Sequence, residues 1–257
     1  MKVQTLTLSI HVDGYYGLTE GVPKLLNLFE QNGIKATFFV NMGREASIFS
    51  LLEYFRKNKE EFKKTKRTIN RYNKIQMLST ILLMRKLGCG HKEILKEIEK
   101  KGHRVEPHCW SHLEWSKNFE NLDYKKQIYL FKKSFKECLG KDPQSFAPPT
   151  WKINREIVRE LERNGFQEVC LLKKDANMTK HFKVIKPNLL TFEKTIEELL
   201  QEGKDETEIL EIYKEEIKRK NAHVYFHADF EGIKGIKIFE KVLKIINSRN
   251  ISLSAEL

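Results

Sequence analysis

Three segments far apart in the chain carry residues that could do chemistry together: His11-Val12-Asp13, His108-Cys109-Trp110-Ser111-His112 and His227-Ala228-Asp229. A carboxylate with two imidazoles at i and i+4 is a set of metal ligands. It leaves coordination positions open for water and substrate, which marks a catalytic rather than a structural site. The third segment offers a further histidine for proton transfer. The set points to a metal-dependent hydrolase rather than a binding module. An HxxxH pair alone is weak evidence, since surface or capping histidines produce it too; Asp13 strengthens it.

Each of these residues follows a segment that reads as a β-strand. Val3 to Ile10 alternates apolar and polar residues, and Ala36 to Asn41 is an apolar run. Between them, Thr19 is placed to cap a helix carrying Val22, Leu25, Leu26, Leu28 and Phe29, closed by Asn32-Gly33. This βαβ unit implies parallel strands. The pattern recurs as helices over 91–101, 122–139, 153–164, 194–219 and 236–248. Strands are predicted over 103–106, 145–147, 166–172, 222–226 and 251–254. Repeated βα units favour an irregular (β/α) barrel, with Asp13, His108, His112 and His227 on the rim at the C-terminal ends of the strands. The chain reads as one domain over 1–257, interrupted by a helical insertion over 44–90.

Composition narrows the class. A hydrophobic content of 40% is that of a folded chain. Cys89, Cys109, Cys138 and Cys170 are scattered without a CxxC pair, which fits a reducing compartment and predicts no disulfide framework. No apolar run is long enough to cross a bilayer and the N-terminus lacks a signal-peptide pattern, so a cytoplasmic location is expected. Between Arg56 and Lys86 stand eleven Lys or Arg against two acids, +9 of the net +12. The same segment carries Ile75, Met77, Leu78, Ile81, Leu82, Leu83 and Met84. Basic and apolar together, 56–86 reads as an interfacial element on an anionic membrane, or as a face packed on the barrel or on a second subunit. Nucleic acid is disfavoured, because few aromatics, Tyr72 among them, are interleaved with the bases.

The stretches LSIHVDGYYGLTEGVPKLL, ATFFVNMGR, HCWSHLEW and YFHADFEG, in this order, resemble the polysaccharide deacetylase family. Within it they resemble the branch of bacterial deformylases that act on a formamido sugar linked to undecaprenyl phosphate at the inner face of the cytoplasmic membrane. The resemblance implies a divalent metal on Asp13, His108 and His112, with zinc the first candidate and cobalt, nickel, iron or manganese able to fill the same site. It implies His227 as general acid and places His11 at the general-base position, where the family carries an acid. A neutral imidazole accepts a proton near pH 7, its ordinary pKa being about 6.5. His11 could equally be a ligand, or a change that disables the base. The arginine expected before Pro148-Pro149 is Ala147, so Lys152 is expected to supply that positive charge. Tyr15, Trp151, Lys152 and Glu231 are expected substrate contacts. Two functions follow: hydrolysis of an N-formyl or N-acetyl group from a lipid-linked amino sugar, or a catalytically silent protein that binds such a glycan.

Overall fold

The computed structural model describes residues 5–45, 71, 73–180, 182, 184–219, 221–247 and 252–254. Strand β1 (Thr5–Val12) lies at the centre of a parallel sheet. It pairs with β2 (Thr37–Asn41) and β7 (Ala222–His227), and its first residues pair with β8 (Ser252–Ser254); β2 also pairs with β3 (Arg104–Cys109). A second parallel sheet has the order β4 (Ser145–Phe146), β5 (Glu168–Leu171), β6 (Lys186–Leu189). The helices cover the outer face: α1 (Val22–Asn32), α2 (Lys74–Leu83), α3 (Lys92–Lys100), α4 (His112–Lys117), α5 (Tyr124–Leu139), α6 (Arg155–Arg163), α7 (Ile196–Gln201), α8 (Glu206–Ile217) and α9 (Ile236–Asn247).

The alternation in β1 separates two environments. Leu6, Leu8, Ile10 and Val12 are buried in the main core beneath the helices. Ser9 and His11 are also buried, but on the opposite, inward face. Register carries that face across the sheet, since His11 stands beside Phe39 and His227. Two small apolar clusters, Phe39-Ala147-Cys170 and Leu172-Leu190-Tyr225, fill the interior, and Trp151 packs against both.

Among the described residues the unbroken ladder of a regular barrel is not formed. The two sheets meet at seams that side chains bridge. At one, the buried Glu106 carboxylate accepts the backbone N–H groups of Gln144 (2.9 Å) and Ser145 (3.1 Å) and a bond from Arg104 (2.8 Å). At the other, the Thr191 N–H donates to the His223 carbonyl (2.9 Å), and the Thr191 hydroxyl oxygen accepts the His223 N–H (2.8 Å).

Several expectations need correction. Thr19 caps no helix: the chain is already in a π-helical turn over Gly17–Gly21, and the Thr19 hydroxyl donates to the Tyr15 carbonyl. The helix expected over 194–219 is two, α7 and α8, because Gly203 turns with φ 84° and Asp205 starts a new capping box. Strand β6 went unforeseen, since Lys186-Pro187-Asn188-Leu189 has no alternation and its proline reads against a strand. Cys89 and Cys138 form a disulfide, 49 residues apart, which ties the segment before α3 to α5. No spacing motif announces that pairing.

The insertion has a closed stem. Arg44 and Lys86 form an antiparallel bridge, flanked by Glu45 N–H to Arg85 carbonyl (3.0 Å) and Leu87 N–H to Gly43 carbonyl (2.8 Å). Residues 46–70, with most of the basic cluster, lie outside the described residues, as does the Ile81 side chain. Helix α2 starts at an Asn73/Gln76 capping box and leaves Ile75, Leu78, Leu82, Leu83 and Met84 exposed. It is attached through Ser79 to the Tyr16 hydroxyl (2.5 Å) and through Gln76 to Glu20 (3.1 Å).

Removing the carboxylate at the first seam leaves two buried N–H groups unpaired. Glu106→Ala is therefore expected to cost about 3 kcal/mol in urea unfolding, read as a lower midpoint at unchanged slope. A loss under about 0.5 kcal/mol would show that water serves the seam as well.

Candidate metal centre

Three strand ends deliver the site. Asp13 follows β1, His108 sits near the end of β3, and His227 is the last residue of β7. His112 opens α4, which Ser111 caps by accepting the Glu114 N–H. The Asp13 Oδ1 atom lies 3.4 Å from His108 Nε2 and 3.8 Å from His112 Nε2, and the three ligand atoms are within 4.8 Å of one another. Asp13 Oδ1 is buried with no hydrogen-bond partner among the described residues. His108 Nδ1 is 2.7 Å from the Ala147 carbonyl, so it carries the proton and leaves the Nε2 lone pair directed at Asp13. An unpaired carboxylate oxygen, an imidazole fixed in the ligating tautomer and a second imidazole at this range fit a divalent cation.

The backbone holds Asp13 in place. Its N–H donates to Asp229 Oδ2 (3.0 Å) and its carbonyl accepts the Asn41 amide (3.3 Å). Asp229 is fully buried against Gly17, where a Cβ would come within 2.3 Å of its carboxylate, and Gly21 abuts the Ala228 carbonyl as closely (2.1 Å). The glycines of Gly17-Leu18-Thr19-Glu20-Gly21 thus let the first helical turn lie on the third site segment.

Electrostatics prepare these groups as ligands and bases. Burial works to raise the Asp13 pKa, but His112, His227, His108 and Arg71 together hold it well below the usual carboxylate range. Burial pushes His108 down to about 4, helped by His112 and opposed by Asp13, so it is neutral near pH 7. His11 is lowered well below its ordinary value, by burial first and then by His108 and His227. Its Nε2 has no partner among the described residues. The ring is enclosed by His108, Trp151, Tyr225 and His227 at centroid distances of 4.5, 5.2, 5.3 and 5.5 Å. Burial and Arg71 bring His227 to about 3; its Nε2 lies 3.8 Å from Asp13 Oδ2.

The structure gathers Asp13, His108, His112, His227, His11 and Trp151 in one cluster, and sets three other expected residues apart. Trp151 forms the lip, following Thr150 in a pair with positive φ (52° and 57°), strain of about 1–3 kcal/mol per residue that marks a constrained turn. Lys152 is turned away: its ammonium donates to the Ser116 carbonyl (2.7 Å) in the last turn of α4. Glu231 is fully buried and accepts the N–H groups of His227 (2.7 Å) and Glu197 (3.2 Å), so it braces the end of β7 instead of meeting substrate. Tyr15 faces the insertion stem, with the Arg85 guanidinium 4.0 Å from its ring centroid and its N–H on Glu45. The positive charge comes from Arg71. Its guanidinium grips Glu197 through Nε (2.8 and 3.0 Å) and Nη2 (2.6 Å), and reaches Asp13 Oδ2 at 3.5 Å. In the sequence it is one base among eleven, with nothing to separate it from solvated neighbours.

Comparison with known proteins identifies the family and the fold. The polysaccharide deacetylase family model matches residues 5–169. A probable 4-deoxy-4-formamido-L-arabinose-phosphoundecaprenol deformylase, ArnD, of Shewanella sediminis is 26% identical over 97% of this chain and 84% of its own. The crystal structure of a putative polysaccharide deacetylase from Mycobacterium smegmatis superposes with a TM-score of 0.63 at 14% identity, over 96% of this chain and 84% of that one. A CE4 family pseudoenzyme from Bacillus anthracis gives a TM-score of 0.56 at 12% identity; the match takes in 98% of this chain but 63% of that longer protein.

Burial raises the Glu231 pKa to about 7 from an ordinary 4.5. An acid whose folded pKa is raised adds stability that is full below its unfolded pKa and is lost as pH rises through the folded one. The melting-temperature advantage of the native protein over Glu231→Gln, which cannot ionise, is therefore expected to shrink from about pH 5 to about pH 8. A difference that is flat or grows over that interval would place the proton elsewhere.

Proposed function

The chain belongs to the polysaccharide deacetylase family, and within it we propose that this protein hydrolyses the N-acyl group, formyl or acetyl, of an amino sugar carried on a polyprenyl phosphate. The observation that carries the hydrolytic reading is the triangle of Asp13, His108 and His112 beside two buried, neutral imidazoles. The deformylase name of the relatives supports the lipid-linked formamido sugar, and the exposed apolar face of α2 beside Tyr16 supports a substrate presented at a membrane. No helix among the described residues is long and apolar enough to cross one.

Asp13, His108 and His112 would hold the divalent ion, which when bound polarises the acyl carbonyl and lowers the pKa of water. His11 takes the water proton as the oxygen adds to the acyl carbon. Since burial holds both imidazoles neutral at rest, the proton taken by His11 passes to His227, whose ring centroid is 5.5 Å away, and His227 delivers it to the departing nitrogen. C–N cleavage then releases formate or acetate and the free amine. Trp151 and Tyr225 enclose His11 and keep bulk water from it.

Replacing His108 or His112 by Ala is expected to remove the metal, measured by elemental analysis, together with hydrolysis. Replacing His11 or His227 by Ala should leave metal content intact and lower turnover about 10²–10⁴-fold, as measured for general acid–base groups. Full turnover in the His11 variant would mark it as a bystander and return the base to another group. Metal loss in either variant would make that histidine a ligand.

Membrane docking by 56–86 joins two forces. Each basic residue near an anionic surface contributes about 1 kcal/mol, screened by salt. Each leucine of α2 that enters the interface adds about 1.5–3 kcal/mol that salt does not screen. Co-sedimentation with anionic vesicles is expected to weaken with salt yet persist, and the persistent part should vanish in Leu78→Asp/Leu82→Asp. Binding that disappears fully at high salt in the native protein would reduce docking to charge alone.

A further inference from the structure

A cavity of about 410 Å³ lies outside the metal centre, between the insertion stem and α5. Its floor is buried and largely apolar: Met42, Gly43, Leu87 and Ser134. Its rim carries three bases, Arg44, Lys86 and Lys133, against one acid, Glu137. Neither lysine is in an ion pair with a described residue, and the described hydrogen bond of the Arg44 side chain is to the Met84 carbonyl (3.3 Å). Trp110 is part of its lining.

The walls are fixed. The Cys89–Cys138 disulfide ties the stem side to α5, the Leu87 N–H donates to the Gly43 carbonyl, and the Ser134 hydroxyl reaches the Met42 carbonyl at 3.4 Å. Gly43 lies so close to Trp110 that a Cβ there would meet its carbonyl oxygen at 2.0 Å. Trp110 stands between the ligands His108 and His112, so one residue is shared by the cavity wall and the metal-binding segment.

We propose that this cavity binds the polyprenyl phosphate part of the substrate: the phosphate at Lys86, Lys133 and Arg44, and the first isoprene units against Met42, Leu87 and Trp110. The assignment rests on the reading that the substrate is lipid-linked. A phosphate is the anion that three rim cations with a single acid suit, since ammonium and guanidinium bonds to phosphate are charge-assisted. The apolar floor gives a free inorganic anion nothing and gives an isoprenoid a dry surface.

The test is calorimetric titration of the metal-loaded protein with farnesyl phosphate, a short polyprenyl monophosphate, beside farnesol and inorganic phosphate. Farnesyl phosphate is expected to bind, and to bind about tenfold or more weakly to Lys86→Ala/Lys133→Ala. Both lysines are exposed, so the variant keeps its core. Farnesol and inorganic phosphate should each bind far more weakly than the joined molecule. Equal affinity in native and variant proteins would overturn the site, and inorganic phosphate binding as tightly as farnesyl phosphate would overturn its lipid character. The readout does not depend on turnover. Lysine-dependent binding in a protein that hydrolyses no N-acyl sugar would refute the deacylase reading and leave this site standing. A deacylase that binds farnesyl phosphate without need of the lysines would do the reverse.

Discussion

The Asp13 carboxylate is a negative charge placed where little water can reach it, and the arrangement around it answers that charge. Isolated burial of a carboxylate is costly enough that such a group either takes up a proton or gathers positive partners. Asp13 takes the second course. Arg71 lies at 3.5 Å from one oxygen, and the other is left without a hydrogen bond, facing His108 and His112. The neutral His108 imidazole cannot compensate a full charge; a divalent cation bound beside it can. The supports follow from this need. Asp229 and Asn41 fix the Asp13 backbone, Ala147 fixes the His108 tautomer, and Gly17 makes room for Asp229.

The same reasoning bears on two departures from the family pattern. The resemblance implies an acid where His11 stands and an arginine where Ala147 stands. Neither position carries a charge here: burial holds the His11 ring neutral, and Phe39, Ala147 and Cys170 form an apolar cluster beside it. An uncharged imidazole costs far less to bury than a carboxylate, so no arginine is needed at that point.

Much of the fold, and the grouping of Asp13, His108 and His112, was legible because both rest on local pattern. The alternation of Leu6, Leu8, Ile10 and Val12 announced β1, and Gly33 and Gly140 closed α1 and α5 in left-handed turns. Parallel strands deliver their ends to one rim, which is why Asp13, His108, His112 and His227 could be grouped before any distance was known. What was not legible depends on pairing across long separations. Arg71 reaches Asp13 over 58 residues, Cys89 meets Cys138 over 49, and Glu231 turns inward to backbone N–H groups instead of out to substrate. Side-chain direction at the edge of a loop has no periodicity to betray it. His103 and His223 are buried and bonded to the Ala36 N–H and the Ser9 hydroxyl, pairings that no local pattern announces.

Arg71 also joins two functions that the sequence kept apart. It belongs to the basic insertion, yet its guanidinium is consumed by Glu197 and Asp13 within the site. Helix α2, three residues further on, presents Ile75, Leu78 and Leu82 outward while Ser79 holds Tyr16, which leads into the π-helical turn on Asp229. The insertion therefore touches the Asp13 environment twice, by charge through Arg71 and by packing through Tyr16.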